Sequence, residues 1–375
     1  MTGGRVSSKK YVGSKVSIVR WRPAASHYTP TDTFVSGTWD DGENEVCVWR
    51  VPECDDDPNL QHHLTHQGNV NDIQYVTRDT FATASSTGSV HLYQHNVGGH
   101  LEHKTSWKQI HSFRTSHAPC TGLTSNGDQI ASVGEDGKLV IINPGQERPV
   151  RTMESVGGCS VYTGGVLSCI SCVTESVGGC SVYTAVYVRA NEILTGSLQG
   201  YLRLWDIRAP QPTKATLHSL DQVGVYDLAV HPTQQHLVAA GGEDGALAIW
   251  DLRNTTQPFT IIAAHNGPMS EVSFHPGAPD HLFTGGLDGQ LLHWDASASA
   301  TPTHSHITPY TPTRQHQGGS VTVWVSSAVC NGCVDTTSII PPSPLPINSL
   351  DIDGTTLIAA SDNEAIYTVR QVMLY

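Results

Sequence analysis

The cysteines are the first residues in this sequence whose type and spacing suggest chemistry. Cys169 and Cys172, and again Cys330 and Cys333, are separated by two residues, as in zinc sites and redox motifs. A structural zinc ion needs four ligands, and neither pair has a second Cys or His pair at a finger-like distance. The remaining cysteines are too scattered for a disulfide framework. We therefore predict free thiols and no metal site.

Aspartates that stand directly before a glycine are the next candidates. Asp136, Asp244 and Asp288 have this arrangement, in which the glycine supplies the positive φ of a tight turn. Turn geometry accounts for them better than acid–base catalysis does. The Gly-x-Ser-x-Gly, Gly-x-x-x-x-Gly-Lys and His-Glu-x-x-His patterns are absent from the sequence. We therefore predict no catalytic residues, no cofactor and no enzymatic activity.

Composition limits the fold class, the compartment and the partner. Only 15% of the residues are charged, against about 25% in ordinary globular proteins, which favours turn-rich β structure over helices. The net charge is −13 and no basic run is longer than the Lys9 and Lys10 pair, so protein is the expected partner rather than nucleic acid or an anionic membrane. No signal peptide or membrane span is recognisable, which predicts a cytoplasmic or nuclear protein.

One phrase recurs along the chain and predicts the elements that hold these residues. Small residues, a turn and an alternating apolar segment ending in an aromatic occur at 284–295, 240–251 and 195–206, with weaker copies at 132–142 and 84–93. Each copy predicts two strands joined by a tight turn. Upstream alternating segments that end in His-Pro, at 269–276 and 225–232, predict the rest of a four-stranded blade.

These copies resemble WD repeats, which implies a β-propeller. The terminal aromatic positions and their equivalents lie 44, 49, 63, 45, 44 and 76 residues apart, at Trp49, Tyr93, Ile142, Trp205, Trp250, Trp294 and Arg370. A propeller blade takes about 40 to 45 residues. We therefore predict an all-β fold, a single seven-bladed WD-repeat β-propeller over residues 1–375. Either the segment near Tyr11 or residues 372–375 should complete blade seven and hide the edge strands.

The WD-repeat resemblance also implies a buried hydrogen-bonded tetrad of His, Ser or Thr, Asp and Trp. In blade six the residues that match these positions are His265, Thr284, Asp288 and Trp294. Blade five has Ala240 where the hydroxyl residue should stand, so its tetrad is expected to be incomplete.

Two intervals are too long for one blade. Residues 154–163 recur letter for letter as residues 175–184, an offset of 21, and the 63-residue interval without that offset is 42. We therefore treat residues 154–174 as an apparent duplicated insertion before blade four, either a tandem duplication or a gene-model error. An unpaired strand-forming segment at a blade edge favours the error. Residues 296–346, rich in Thr, Ser, Pro and His, predict a long irregular loop before blade seven, within which residues 320–325 have the alternation of a short strand.

A doubled Trp-Asp-x-Arg at 205–208 and 250–253 leaves a second function open. It resembles the motif by which propeller substrate receptors dock on cullin-RING ubiquitin ligases, with Arg208 and Arg253 as the adaptor contacts. The simpler interpretation is that Trp-Asp ends a strand in any such repeat and the arginine is a solvated partner.

Loop and blade-edge segments outside the shared repeat resemble the nucleoporin 43 family, the small WD-repeat subunits of the Y-shaped nuclear pore scaffold. The resemblance spans most of the chain and rests on residues 20–23, 33–40, 84–88, 118–122, 133–137, 231–236, 279–284, 292–296, 316–319 and 364–367. It implies a non-catalytic scaffold subunit of the outer ring of the nuclear pore complex, supporting pore assembly and nucleocytoplasmic transport. The implied partners are other Y-complex nucleoporins, chiefly the short-arm α-solenoid. The implied locations are the nuclear envelope and, in mitosis, the kinetochore.

The contact surface for such a partner stays open at this point. One candidate is the turn of blade one at residues 39–45, which we expect to protrude and to be three residues longer than its counterparts, with Trp39, Asp40, Asp41 and Glu43 as contacts. The other candidate is the long loop before blade seven.

Overall fold

Seven separate four-stranded antiparallel sheets follow one another along the chain. The computed structural model describes residues 6–25, 30–52, 57–96, 98–153, 181–209, 216–218, 223–297, 323–325 and 334–373. First strands of neighbouring sheets contact one another all the way round a ring. The sheets are therefore the blades of a closed seven-bladed β-propeller, and the predicted fold is confirmed.

Each blade runs from a first strand at the centre to an outer strand at the rim. Blade one consists of β2 to β5, at Val16–Trp21, Thr33–Thr38, Asn44–Arg50 and Asn59–His66. Blade two consists of β6 to β9, at Val70–Tyr75, Thr80–Ser85, Val90–His95 and Leu101–Trp107. Blade three consists of β10 to β13, at Cys120–Ser125, Ile130–Gly134, Leu139–Ile142 and Arg151–Met153. Blade four consists of β14 to β17, at Val182–Arg189, Glu192–Ser197, Tyr201–Asp206 and Thr216–His218.

The remaining blades follow the same order. Blade five consists of β18 to β21, at Val225–Val230, Leu237–Gly242, Ala246–Asp251 and Thr260–Ala263. Blade six consists of β22 to β25, at Met269–Phe274, His281–Gly286, Leu291–Asp295 and Asp335–Ser338. Blade seven consists of β26 to β28, at Ile347–Asp353, Thr356–Ser361 and Ala365–Arg370, with β1 at Val6–Tyr11 as its outer strand. All seven aromatic-equivalent positions counted from the sequence lie in third strands.

The N-terminal strand closes the ring. β1 pairs antiparallel with β28, from Val6 opposite Arg370 to Tyr11 opposite Ala365. Blade seven therefore takes strands from both ends of the chain, and of the two termini considered it is the N-terminal segment that completes it. Pairing the first strand of the chain with the last removes the open edge that an arc of blades would expose.

The core lies between blades rather than within any one of them. Seven clusters of buried apolar side chains are present, and each joins two neighbouring blades. Trp205 packs between blades three and four and Trp250 between blades four and five, each with about 1% of its surface exposed. Seven interfaces for seven blades leave no face without a partner, which is the packing requirement of a closed ring.

Every first strand carries a β-bulge after its first residue. The register with the second strand passes from Val16 to Ile18 in blade one and from Val225 to Asp227 in blade five, and the other five blades repeat the pattern. A bulge bends its strand and re-aims the unpaired side chain. The seven unpaired residues are Ser17, Asn71, Thr121, Tyr183, Tyr226, Ser270 and Asn348.

Residues 296–346 are not a loop throughout, which corrects the sequence prediction. Within them Asp335–Ser338 form β25, the outer strand of blade six, and Val323–Val325 form a 3-10 turn. Trp324 of that turn is fully buried, contacts Phe274 and donates a 2.7 Å hydrogen bond from Nε1 to the carbonyl of Pro279. The irregular composition hid β25, because this strand is polar and exposed and so lacks apolar alternation. At Val323–Val325 the structure has a 3-10 turn where the sequence pattern is that of a short strand. The apparent insertion at 154–174 lies outside the described residues.

Candidate protein-docking face at the mouth of the central channel

The blade topology places two kinds of connection at one end of the propeller. In a four-stranded antiparallel meander, the turn between the second and third strands and the connection to the next blade lie at the same end. We call this end the turn face. Residues directly after the second strands lie on it: Trp39, Ser86, Glu135, Leu198, Glu243, Leu287 and Asp362.

A cavity of about 650 Å³ opens on the turn face. Its lining includes residues of the first strands of all seven blades, so it is the mouth of the central channel. Trp39, Glu135 and Leu287 form part of its rim. Its volume falls in the range of about 300 to 1,000 Å³ that ligand sites occupy.

Side chains at the bulges form hydrogen bonds between the first strands of neighbouring blades, along the channel wall. Asn71 Nδ2 donates a 2.7 Å hydrogen bond to the carbonyl of Cys120, the first residue of the next first strand. Asn348 Nδ2 likewise donates to the carbonyl of Val16 at 2.8 Å. Ser17, Thr121 and Ser270 make the equivalent bonds to Val70, Val182 and Ile347. Five of the seven blade junctions are therefore closed by a donor at the bulge position.

Tyrosines occupy the bulge position in the other two blades. The rings of Tyr183 and Tyr226 lie 5.3 Å apart between centroids and line the mouth of the channel. Burial first, then the carboxylate of Glu135, raises the pKa of Tyr183. Burial and Glu243 raise the pKa of Tyr226. The mouth thus has an aromatic side with a carboxylate beside each ring.

One arginine and four carboxylates form a cluster deeper in the channel. Arg20 Nη1 lies 2.8 Å from Glu271 Oε1, and Nη2 lies 3.7 Å from Asp72 Oδ1. Burial opposes the charge of Arg20, but Glu271, Asp72, Asp351 and Asp227 together raise its pKa. Burial raises the pKa of Asp72 and of Asp351 to about 6, although Arg20 lowers both. Burial and Glu271 raise the pKa of Asp227.

The four carboxylates have a structural task, because each accepts a backbone N–H from the next first strand. The donors are Leu123 to Asp72 at 2.7 Å, Val272 to Asp227 at 2.9 Å, Leu350 to Glu271 at 2.8 Å and Trp21 to Asp351 at 2.7 Å. A carboxylate that accepts backbone N–H groups and faces one shared arginine holds strands in register rather than donating or abstracting protons.

The structure brings the four tetrad residues of blade six together. His265 Nδ1 lies 3.0 Å from Asp288 Oδ1, and His265 Nε2 lies 2.8 Å from Thr284 Oγ1. Trp294 Nε1 donates to the same Thr284 oxygen at 3.0 Å. Because a carboxylate only accepts, Nδ1 carries the proton, and Nε2 of a neutral ring accepts from the threonine hydroxyl. The chain of bonds ties the connection into blade six to its second and third strands.

Gly289, directly after Asp288, shows why the turn between the second and third strands of blade six needs glycine. Its φ is 77°, and a Cβ atom there would lie 1.8 Å from the carbonyl oxygen of Ser343. No other residue type fits that space and that conformation together.

Sequence reasoning missed a second histidine network in blade three. His111 Nδ1 lies 2.8 Å from Asp136 Oδ1 and His111 Nε2 lies 2.7 Å from Ser132 Oγ. Ser132 and Asp136 have the same four-residue separation as Thr284 and Asp288, and that separation could have revealed the histidine. Ile142 replaces the tryptophan, which is why the copy looked weak.

The candidate contact turn lies on the rim of the channel mouth. Trp39 lines the cavity and donates from Nε1 to Asp362 Oδ1 at 3.0 Å, which links blades one and seven. Asp40 has a φ of 60° and pairs with Lys15 at 2.6 Å, whereas Asp41 and Glu43 are exposed. Between the equivalent paired residues of the second and third strands, blade one has eight residues, from Gly37 to Val46, whereas each of the other blades has five, as from Gly285 to Leu291. The expected excess of three residues is therefore confirmed.

Arg208 and Arg253 lie at the opposite end of the propeller, after third strands. Each folds back on the aspartate of its own motif: Arg208 Nη2 lies 2.8 Å from Asp206 Oδ2, and Arg253 Nη2 lies 2.6 Å from Asp251 Oδ2. Both arginine side chains are about two-thirds exposed, at 69% and 65%. The geometry matches a solvated partner of the strand-ending aspartate.

The cysteine pairs considered for metal binding lie outside the described residues. Of the described cysteines, Cys47 and Cys120 are free and buried, and burial raises the pKa of both thiols to about 12. In the described part of the chain, no three His, Cys, Asp or Glu side chains are placed to hold a metal ion. None of its helical segments is long and apolar enough to cross a membrane.

Comparison with known proteins gives matches at two levels. The WD domain, G-beta repeat family matches residues 214–251, which include the first three strands of blade five. Mouse nucleoporin Nup43 is 33% identical over 97% of this chain and 98% of its own length. Human nucleoporin Nup43 is 31% identical with the same coverage. Nuclear pore complex protein nup43 of Dictyostelium discoideum is 33% identical over 44% of this chain and 34% of its own length.

Proposed function

The chain belongs to the nucleoporin Nup43 family, and from that premise we propose that it is a non-catalytic scaffold subunit of the nuclear pore complex. It would sit in the outer ring as part of the Y-complex, dock through its propeller on the short-arm α-solenoid nucleoporin, and support pore assembly and nucleocytoplasmic transport. We extend the proposal to the kinetochore in mitosis. The single observation that carries it is similarity to mouse and human Nup43 along nearly the whole of both chains.

The structure supports a scaffold role through its rigidity and its charge. The blades interlock through seven apolar interfaces, and the ionisable groups of the channel accept strand N–H groups. A preformed surface binds a partner without paying to become ordered. We propose the turn face as the docking surface, where Trp39 lines the channel mouth and Asp40, Asp41 and Glu43 follow it in the same turn.

Affinity capture of the tagged full chain from cells tests the proposal. We expect nucleoporins of the Y-complex to be recovered and the tagged chain to lie at the nuclear rim in interphase. The variant Arg208→Ala with Arg253→Ala should capture the same nucleoporins, because each arginine pairs with the aspartate of its own strand end, at the end of the propeller opposite the turn face. Recovery of a cullin adaptor by the wild-type chain, lost in this variant, with no nucleoporins in either capture, would overturn the scaffold function.

A further inference from the structure

Tyr183 and Tyr226 depart from the rule that the other bulges follow. At the equivalent position the other five blades use Ser, Asn or Thr, whose short side chains donate to the neighbouring carbonyl. Within the described residues the two tyrosines make no such bond. At the bulge position, blades four and five therefore present an aromatic ring to the channel mouth, whereas the other five blades make a hydrogen bond to the neighbouring blade.

The charge beside these rings is negative and is not neutralised by the described basic residues. Glu135 is half-buried on the rim and Glu243 is exposed next to Tyr226, and neither makes an ion pair with a described side chain. Lys15 and Lys138 of the turn face are paired with aspartates at 2.6 and 3.3 Å. A polyanion would meet like charge here, whereas a cation would meet two carboxylates and two ring faces.

The chain's own connections near the tyrosines cannot supply that cation. Residues 154–181, which lead into blade four, contain no Lys or Arg, and residues 219–224, which lead into blade five, contain none either. In the cavity lining Arg20 is the basic residue, and it is engaged with Glu271 and Asp72. Lys108 and Arg114 are exposed in the connection into blade three on the same face, but neither forms an ion pair with Glu135 or Glu243 in the described part of the chain, so both carboxylates are open to a cation from another molecule.

We propose that the aromatic side of the channel mouth is a docking site for an arginine or lysine side chain on a segment of a partner protein. The cationic head lies over the faces of Tyr183 and Tyr226 and pairs with Glu135 and Glu243, while the aliphatic stem lies in the cavity. That the partner is a protein rests on the proposed scaffold function.

Fluorescence anisotropy with short labelled Gly/Ser peptides tests the site on the full chain. Three probes carry Arg-Lys-Arg, Gly-Gly-Gly or Glu-Asp-Glu at their centre. We expect only the basic probe to bind. The variant Glu135→Gln with Glu243→Gln should lower the affinity for that probe roughly fivefold or more. Tyr183→Asn with Tyr226→Asn should weaken it by about two- to fivefold for each ring lost. Because Asn is the residue of blades two and seven, this variant should keep the wild-type melting temperature.

A charge-matched control separates the site from the acidity of the whole chain. Asp128→Asn with Glu147→Gln removes two exposed carboxylates from the opposite end of the propeller and should leave binding unchanged. The inference would be overturned by any of three results: mouth variants that leave binding of the basic probe unchanged, a control variant that weakens it equally, or a neutral or acidic probe that binds as tightly as the basic one. The scaffold proposal would survive that result, since nucleoporin capture by the wild-type chain decides it separately.

Discussion

Arg20 is the one cation that the described residues place in the channel cluster, and replacing it with methionine should destabilise the propeller in a pH-dependent way. Its guanidinium lies 2.8 Å from Glu271 and 3.7 Å from Asp72, and its side chain is 23% exposed. Removing one member of a buried ion pair costs about 3 to 5 kcal/mol, because the partner charge stays buried. We expect Arg20→Met to lose that much free energy of unfolding near pH 8.

Lowering the pH should restore part of the free energy of unfolding that Arg20→Met loses. The pKa of Asp72 and of Asp351 is already raised to about 6 in the folded protein, above the unfolded value near 4, so the folded state binds more protons as pH falls through this window. Losing Arg20 raises both pKa values further, and one additional unit on each is worth about 1.4 kcal/mol. The deficit of Arg20→Met should therefore shrink by about 2 to 3 kcal/mol between pH 8 and pH 5.

Urea unfolding followed by tryptophan fluorescence measures the deficit at both pH values. Arg22→Met is the matched control, because Arg22 pairs with Asp79, whose side chain is 49% exposed, and such pairs contribute about 0 to 1 kcal/mol. An Arg20→Met deficit that is the same at pH 8 and pH 5, or no larger than that of Arg22→Met, would refute the reasoning.

Three further predictions concern the blades. Trp294→Ala should cost roughly 3 to 5 kcal/mol of unfolding free energy, because a ring only 4% exposed leaves a cavity, and an unchanged urea midpoint would contradict the tetrad assignment. Trp324→Ala should cost roughly 3 to 5 kcal/mol of unfolding free energy, because it leaves a cavity beside Phe274 and removes the bond to the Pro279 carbonyl. An unchanged urea midpoint would show that Trp324 is not part of the core. Deleting residues 1–11 should lower the melting temperature by stripping the outer strand from blade seven, whereas deleting residues 374–375 should not; equal melting temperatures would mean that β1 does not close the ring.

The fold could be predicted because the repeat length of a propeller blade is visible in the sequence. Trp205, Trp250 and Trp294 lie 45 and 44 residues apart. The Asp-Gly turns before the last two mark where the second and third strands of those blades are joined. Weak copies were still placed correctly, since Ile142 and Arg370 lie in third strands although the intervals before them are 49 and 76 residues. Composition misled only where a strand packs no apolar face, as in Asp335–Ser338.

The candidate site was less predictable because it depends on contacts between distant blades. Trp39 could be selected from its turn, but its bond to Asp362 joins residues more than 300 positions apart in the chain. The bulges that aim Tyr183 and Tyr226 into the channel leave no mark in a two-residue alternation, since the skipped residue resembles an ordinary strand position. A comparison of the second residue of each first strand would have shown the two tyrosines as exceptions.

Charge reversal on the two ends of the propeller tests the central claim most directly. Asp41→Lys with Glu43→Lys changes the turn face, and Asp128→Lys with Glu147→Lys changes the opposite end; all four side chains are exposed. Affinity capture from cells, with both variants expressed at the wild-type level, should show loss of Y-complex nucleoporins and of nuclear-rim localisation for the first pair only. Full capture by the turn-face variant together with loss in the opposite-end variant would contradict the docking surface, and the absence of nucleoporins from the wild-type capture would contradict the scaffold function itself.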